Sequence, residues 1–156
     1  MKITLLVIGK TTFDFVKQGV NEYAERIGRY APFSISVIEG LKKSQSLSDE
    51  QVKQKEGELI LKQIKPTDTL ILLDEKGKRF TSVGFSTQIA AWMQSGKDVV
   101  LVIGGAYGFS EAVYQRAQHK ISLSDMTFSH QLIRVIFLEQ LYRAFTILRG
   151  EPYHHE

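Results

Sequence analysis

The carboxyl end of the chain carries the side chains best suited to proton transfer. Tyr153, His154 and His155 stand together after Gly150 and Pro152. Histidine titrates near neutral pH and can act as a general base, and tyrosine can stack on or hydrogen-bond a flat ring. A histidine pair without other clustered His, Asp or Glu residues is a poor metal site, so we expect no bound metal. A frayed terminus is the alternative interpretation.

Two internal segments could hold a ligand through their backbone. Gly104 and Gly105 follow an apolar run, and glycines at the end of a strand let a ligand approach the main chain closely. Their surroundings match neither the dinucleotide fingerprint nor a phosphate-binding loop. The second segment offers amides and carbonyls beside apolar side chains; it consists of Leu123, Ser124, Asp125, Met126, Thr127 and Phe128. Taken alone, each segment also fits a tight turn or a capped loop.

Alternating hydrophobic patterns predict the elements that position these residues. Strands are predicted at residues 3–8, 33–38, 69–73, 99–103 and 120–123, with a polar turn at 74–78. Helices are predicted at residues 12–30, 48–65, 86–94, 110–118 and 129–149, with Ser48 as an N-cap. This alternation predicts an α/β fold with a mostly parallel sheet and helices on both faces. We expect one domain spanning residues 1–156.

Composition excludes several classes of protein. The 156 residues are 43% hydrophobic and 24% charged, a globular balance. The absence of cysteine excludes disulfides, a thiol nucleophile and cysteine-ligated metals. The first apolar run is too short for a membrane span and lacks the features of a signal peptide, so we expect a cytoplasmic protein without membrane contact. A net charge of +3 permits a polyanionic partner without requiring one.

The last predicted helix is apolar on two sides. The arc expected to face the core contains Ile133, Phe137, Leu138, Leu141, Ala144, Phe145 and Leu148. A second apolar set lies opposite and contains Leu132, Val135, Ile136, Tyr142 and Ile147. A helix that is apolar nearly all round is buried nearly all round, which favours a homodimer interface. The alternative is a helix enclosed within one chain.

Taken in order, these segments resemble the ribosomal RNA large subunit methyltransferase H family of the knotted α/β (SPOUT) class. The resemblance is carried by VIGG at residues 102–105, SLSDMTFSH at 122–130, and LIRVIFLEQLYRAFTILRGEPYHHE at 132–156. It covers the whole chain, including the MKIT start. Two positions depart from the pattern: Ala106-Tyr107 replaces a polar pair, and His155 stands where relatives often carry Lys or Arg.

The resemblance implies methylation of N3 of a pseudouridine in 23S (large-subunit) rRNA, on the ribosome, with S-adenosyl-L-methionine as methyl donor. It also implies a C-terminal trefoil knot and a homodimer. The methyl donor would lie between Leu73, the pair Gly104 and Gly105, and residues 123–128. His154, acting across the dimer interface, is the candidate general base for the N3 proton, and Tyr153 would contact the base ring.

Four cations are candidate contacts to RNA phosphates: Arg134, Arg143, Lys42 and Lys43. Each of them also fits an ordinary solvated surface charge. A knotted methyltransferase acting on another RNA such as tRNA, and a non-catalytic ribosome-assembly factor, are the alternative functions. A nicotinamide-binding protein fits less well, because the fingerprint and its ribose-binding acid are missing.

Overall fold

A computed structural model of the chain describes residues 1–41 and 46–155. Within them, five strands and five helices alternate along the chain. The strands are β1 (Ile3–Ile8), β2 (Phe33–Ile38), β3 (Thr69–Arg79), β4 (Val99–Ile103) and β5 (His119–Ser122). The helices are α1 (Asp14–Gly28), α2 (Asp49–Lys62), α3 (Ser82–Gln94), α4 (Glu111–Arg116) and α5 (Leu132–Leu148).

The strands form one sheet in the order β2-β1-β4-β3-β5, and every pairing is parallel. Leu101 of β4 lies opposite both Leu5 of β1 and Ile71 of β3, so β4 occupies the centre of the sheet. The predicted α/β class and parallel sheet are confirmed. Since all the strands run the same way, their carboxyl ends meet at one edge, where parallel sheets usually bind ligands.

Two hydrophobic clusters cover the two faces of the sheet. Alternate residues of a strand point to opposite faces. Accordingly, Leu5 and Val7 pack in the cluster beneath α1, α3 and α5, whereas Leu6 and Ile8 pack in the cluster beneath α2 and α4. The continuous apolar runs of β1 and β4 follow from this two-sided burial.

No helix within residues 1–41 and 46–155 combines the length and apolarity needed to cross a membrane.

The predicted polar turn at residues 74–78 is wrong, because β3 continues through it to Arg79. Leu73 and Lys78 both pair with Ile121 of β5, and the intervening residues form an irregular step in the ladder. Gly77 crosses the Ile121 backbone so closely that a Cβ there would lie 2.5 Å from its carbonyl carbon. The polar residues and the glycine at 74–78 therefore do not form a turn. Instead, Gly77 allows β3 to pass close to β5.

Helix ends differ from the predictions by a few residues. Ser48 caps α2 as expected, and its hydroxyl accepts from the Gln51 amide in a full capping box. Helix α3 begins a turn earlier than predicted, because Thr81 caps it through the Gly84 amide. Helix α1 begins two residues later than expected, at Asp14, and α5 begins three residues later than expected, at Leu132.

Helix α5 packs against both α1 and α3, so much of its second apolar side is covered within the chain. Close approach to α1 is possible because Gly19 faces Val135, where an added Cβ would lie 3.0 Å from the valine methyl groups. Leu148, predicted for the core, is exposed, as is Leu132 at the other end of the helix. The amphipathic pattern alone therefore overstates the surface left for a second subunit.

Candidate functional site

A cleft of about 550 Å³ opens at the carboxyl ends of β4 and β5, beside residues 73–76 of β3. This volume falls within the range of roughly 300–1,000 Å³ that is typical of small-molecule sites. The structure brings together eight of the nine residues predicted to bind the methyl donor: Leu73, Gly104, Gly105, Leu123, Ser124, Met126, Thr127 and Phe128. These residues come from three separate segments, which the parallel sheet aligns at one edge.

Asp125 is the predicted ligand-binding residue that does not line the cleft. Its carboxylate forms an ion pair with Arg79 at the end of β3, and its side chain is 82% exposed. An ion pair this exposed to solvent contributes little to stability. Its neighbours Ser124 and Met126 do line the cleft, and the Ser124 hydroxyl accepts a hydrogen bond from the Met126 amide at 3.0 Å.

The wall formed by residues 104–108, here called the glycine turn, presents its main chain to the cleft. The Gly108 amide closes the turn on the Gly105 carbonyl oxygen at 3.3 Å, with Gly108 in the left-handed region at φ 82°. The amides of Gly105, Ala106 and Tyr107 donate to no acceptor within the described parts of the chain. Free amides beside a cleft are suited to bind carbonyl, ring-nitrogen or carboxylate acceptors of a ligand.

The two glycines are needed for tight packing behind the turn. A Cβ at Gly104 would lie 2.9 Å from the Phe109 ring, and a Cβ at Gly105 would lie 2.6 Å from a carboxylate oxygen of Glu56. The sequence interpretation, in which these glycines let a ligand approach the main chain closely, is therefore incomplete. A side chain at either position would also collide with the protein on the far side of the turn.

Glu56 lies directly behind the glycine turn, outside the lining of the cleft, and sequence reasoning missed this contact. It lies on α2 with 8% of its surface exposed, and its Oε1 has no hydrogen-bond partner among residues 1–41 and 46–155. Burial raises the pKa of this carboxyl above its usual value, because removal from water disfavours the charged form. The sequence of α2 does not single out Glu56, because several polar residues surround it. Its burial depends on the glycine turn, which lies about 50 residues later in the chain.

A second unpredicted pair lies on the cleft wall. The Tyr114 hydroxyl of α4 donates to the carboxylate of Asp74, which follows Leu73. Burial, reinforced by this hydrogen bond to a carboxylate, raises the pKa of Tyr114 to about 12. The Lys76 amide also donates to Asp74, at 3.0 Å. These contacts fix the direction of the Asp74 side chain at the rim of the cleft.

Arg134 does not face RNA, contrary to the sequence interpretation. It is 2% exposed, and its guanidinium donates to the carbonyl oxygens of Ile8 at 2.7 Å, Gly9 at 2.9 Å and His130 at 3.1 Å. It also donates to the Thr11 hydroxyl at 3.0 Å. Burial lowers its pKa, but a guanidinium remains charged at any physiological pH. Arg134 therefore joins the end of β1 to the segment that leads from the cleft into α5.

The C-terminal tail, defined here as residues 150–155, is ordered against α5, so the frayed-terminus interpretation is wrong. The Tyr153 hydroxyl donates to Glu139 at 3.0 Å, and Arg143 bonds His154 Nδ1 at 3.1 Å. Arg143 also pairs with Glu139 at 2.5 Å. Burial and hydrogen bonding raise the pKa of Tyr153. His155 is exposed.

The contact with Arg143 defines the state of the His154 ring. An arginine can only donate, so Nδ1 accepts and the proton of the neutral imidazole lies on Nε2. In this arrangement the ring offers an N–H rather than a free lone pair. His154 can act as a base only when it leaves Arg143. The same contact occupies Arg143, a predicted phosphate ligand, while Lys42 and Lys43 lie outside the described residues.

The tail and the cleft are well separated within one chain. Ile133 of α5 lines the cleft, whereas Arg143 holds His154 ten residues further along the same helix. At a rise of 1.5 Å per residue, that spacing is about 15 Å along the helix axis.

Within residues 1–41 and 46–155, no group of three or more His, Asp or Glu side chains is placed to hold a metal ion.

Comparison with known proteins finds matches over nearly the whole chain. The profile of the family described as "Predicted SPOUT methyltransferase" matches residues 1–154. A protein of Parabacteroides distasonis is 58% identical over 157 aligned residues, covering 100% of both chains. Proteins of Flavobacterium johnsoniae and Bacteroides thetaiotaomicron are each 54% identical, again over 100% of both chains. All three relatives are named ribosomal RNA large subunit methyltransferase H.

Proposed function

Since the chain belongs to the SPOUT methyltransferase family, we propose that it methylates large-subunit ribosomal RNA with S-adenosylmethionine as methyl donor. The observation that carries this proposal is the cleft, in which three segments distant in sequence meet at the carboxyl edge of the sheet. The names of full-length relatives support the choice of large-subunit rRNA. Family membership also implies the C-terminal trefoil knot.

The residues of the cleft suit the proposed methyl donor. Its apolar lining, including Leu73, Leu123 and Phe128, can enclose a purine, and the free amides of the glycine turn can bind acceptors on the ring or the carboxylate. When bound, S-adenosylmethionine supplies a methyl group activated by a positively charged sulfur.

The protein's part in such a reaction is alignment and proton removal. Transfer requires the acceptor nitrogen, the methyl group and the sulfur to lie in line, which the walls of the cleft can enforce by positioning. We propose N3 of a pseudouridine as the acceptor. Its N3–H must lose a proton to become a good nucleophile, and His154 accepts that proton after separating from Arg143. Tyr153 contacts the target ring.

We propose that the protein works as a homodimer whose cleft is completed by the tail of a second copy. His154 lies about 15 Å along α5 from its own cleft, by the helical rise of 1.5 Å per residue, so it does not reach the reacting atoms within one chain. The exposed side chains of Phe13, Phe15 and Leu132 provide apolar surface for contact between copies. Because its substrate is ribosomal, we place the enzyme in the cytoplasm.

Methyl transfer from labelled S-adenosylmethionine tests this function. The protein is incubated with intact ribosomes, isolated large-subunit rRNA and tRNA, and the modified nucleotide is located by mass spectrometry. We expect label on N3 of a pseudouridine in large-subunit rRNA, with ribosomes as the best substrate. Label on tRNA alone would reassign the target, whereas binding of ribosomes without methylation would make the protein an assembly factor.

A further inference from the structure

Two large apolar side chains stand exposed at the rim of the cleft. Tyr107 of the glycine turn is 50% exposed, Met126 of the segment before α5 is 77% exposed, and both line the cleft. The other large hydrophobic side chains that are exposed among the described residues lie outside the cleft lining. Single exposed apolar side chains are common on proteins, but two of them from separate segments of one cleft indicate a binding surface.

The ring of Tyr107 has no partner among residues 1–41 and 46–155. It contacts no other aromatic ring and no cation there, and its hydroxyl forms no hydrogen bond. The main chain beneath it is nevertheless fixed, because the Gly108 amide donates to the Gly105 carbonyl oxygen at 3.3 Å. The glycine turn therefore holds the tyrosine in place at the rim while the faces of its ring stay available.

The other ring side chains that line the cleft are less suited to meet a large partner from outside. Phe109 is buried behind the glycine turn and packs edge-on against Tyr114, with ring centroids 5.8 Å apart. The Tyr114 hydroxyl is bound to a carboxylate, and Phe128 is half-buried. His130 is exposed, but its imidazole presents a smaller face than the phenol of Tyr107.

We propose that Tyr107 stacks on an unpaired base of the substrate RNA next to the methylation target, an inference that rests on the proposed function. Aromatic side chains commonly stack on unpaired RNA bases. A small-molecule site encloses most of its ligand, so the side chains that cover the methyl donor lie deeper, as the 8% exposed Leu73 does. The target base must pass inward to the methyl group, which leaves a neighbouring base for the ring at the rim.

Single-turnover methylation of ribosomes with saturating S-adenosylmethionine separates RNA binding from methyl transfer. With enzyme in excess, the enzyme concentration at half-maximal rate reports the affinity for ribosomes, and the maximal rate reports the transfer step. Both are measured for the wild type and for Tyr107→Leu, which removes the ring but keeps an apolar side chain. Tyr107→Phe and Tyr107→Trp are the matched controls that keep a ring, and His130→Ala tests the other exposed ring. Calorimetry gives the dissociation constant of S-adenosylmethionine for each protein.

We expect Tyr107→Leu to bind ribosomes roughly 5- to 100-fold more weakly, the usual loss for one base stacked on an aromatic ring. Its maximal rate should equal that of the wild type, because a base outside the reacting position is bound equally before and during methyl transfer. Its affinity for S-adenosylmethionine should also be unchanged. Tyr107→Phe and Tyr107→Trp should behave as the wild type. All three should melt with the wild type, since the replaced side chain is half exposed and forms no hydrogen bond within the described residues.

Other patterns would overturn the inference. Weaker binding of S-adenosylmethionine by Tyr107→Leu would assign the ring to the methyl donor, and a lower maximal rate at unchanged ribosome affinity would assign it to the reacting base. A loss in His130→Ala but not in Tyr107→Leu would move the contact to the histidine. Wild-type behaviour of Tyr107→Leu would refute the inference and leave the proposed function standing, whereas a wild type that does not methylate ribosomes would remove both. If Tyr107→Leu does not fold, Tyr107→Ala distinguishes the same outcomes.

Discussion

The guanidinium of Arg134 ties together the end of β1 and the loop that precedes α5. Its four hydrogen bonds satisfy three carbonyl oxygens and one hydroxyl in a region shielded from water. Replacing it by Met keeps much of the apolar stem but leaves those acceptors unpaired. We expect Arg134→Met to lower the free energy of unfolding by about 2–4 kcal/mol, as for buried polar groups in general that lose their partners.

Urea unfolding measures this effect, with Arg29→Met as the control. Arg29 forms a surface ion pair with Glu25 whose side chains are 71% and 74% exposed, so its loss should change stability by less than about 0.5 kcal/mol. Equal effects of the two substitutions would show that the Arg134 hydrogen bonds contribute nothing to the fold.

His154 is the residue on which the proposed proton transfer depends. His154→Ala should slow single-turnover methylation of ribosomes at saturating substrate by roughly 10²- to 10⁴-fold, the usual contribution of one proton-transfer group. Binding of S-adenosylmethionine should hardly change, because the cleft lies at the other end of α5. His155→Ala is the matched control, since that ring is exposed. A rate within a few-fold of the wild type would leave base activation to solvent or to the RNA.

Tyr114 predicts a loss of stability at high pH. Because its pKa is raised to about 12 in the folded protein, the folded chain holds the phenol proton more tightly than the unfolded chain does. Its contribution is present below the ordinary tyrosine pKa of about 10 and disappears as pH rises toward 12. Urea unfolding at a series of alkaline pH values should show a smaller decline in Tyr114→Phe. A decline as steep as that of the wild type would contradict the raised pKa.

At the residue scale, local signals identify the cleft and miss what lies behind it. Gly104 and Gly105 are recognisable because paired glycines directly after an apolar strand mark a place where the main chain turns or meets a ligand closely. Glu56 and Tyr114 carry no such local mark, since their partners are about 40 to 50 residues away in sequence. A helical wheel places Arg134 on the surface, because a wheel shows only the neighbours within one helix. It cannot show the carbonyl groups that another element brings to the Arg134 side chain.

Among the elements, the extension of β3 has the greatest effect on the site. Gly77 permits the crossing with Ile121 that places residues 122–128 beside Leu73. Gly77→Ala would put a methyl group 2.5 Å from the Ile121 backbone, which cannot move aside as a side chain can. We expect a loss of roughly 1–3 kcal/mol in unfolding free energy, typical of overpacking, together with weaker binding of S-adenosylmethionine.

Gly28→Ala provides the control for this prediction. It lies in the last turn of α1, and an added Cβ there would meet nothing within 4 Å. Since alanine favours helix over glycine, the substitution should leave stability unchanged or raise it by up to about 1 kcal/mol. Thermal melts measure the stability of Gly77→Ala and Gly28→Ala, and calorimetry measures their binding of S-adenosylmethionine. Unaltered binding and stability in Gly77→Ala would mean that the crossing adjusts freely.

Sequence patterns locate nine of the ten elements by type and nearly in place, because each strand or helix has one dominant period. The exception is the second half of β3, whose pairing depends on β5 about 40 residues later. For α5, the hydrophobic pattern indicates that two sides of the helix are buried, but it does not identify the elements that cover them. The structure shows that α1 and α3 supply much of that cover.

For the molecule as a whole, the separation of tail and cleft predicts complementation between copies. Gly104→Val should distort the glycine turn that forms one wall of the cleft, because its side chain would collide with Phe109, whereas His154→Ala should remove the proposed base from the tail. Neither variant should methylate ribosomes alone. A refolded equimolar mixture should recover about a quarter of wild-type activity, because half of the randomly formed dimers contain one intact site.

Light scattering of the wild type at micromolar concentration checks the same proposal independently. A dimer should be observed, and Leu132→Glu should weaken it, because a charge is costly to bury in an apolar contact. Tyr142→Glu is a poorer probe, since Tyr142 packs against Tyr23, Tyr30 and Tyr153 inside the chain. A monomeric wild type, or an inactive mixture of correctly folded variants, would refute the shared site.

The central position of β4 also governs the order of events during synthesis. Strand β1 can pair with β2 early, but β3 gains its first neighbour only when β4 inserts between β1 and β3. Until β4 emerges, the apolar strands β1 and β3 therefore present unpaired edges that invite association with other nascent chains. The two parts of the sheet join only through β4, which ends about two-thirds of the way along the chain, and β5 completes the sheet later still, so the unpaired edges persist through most of synthesis.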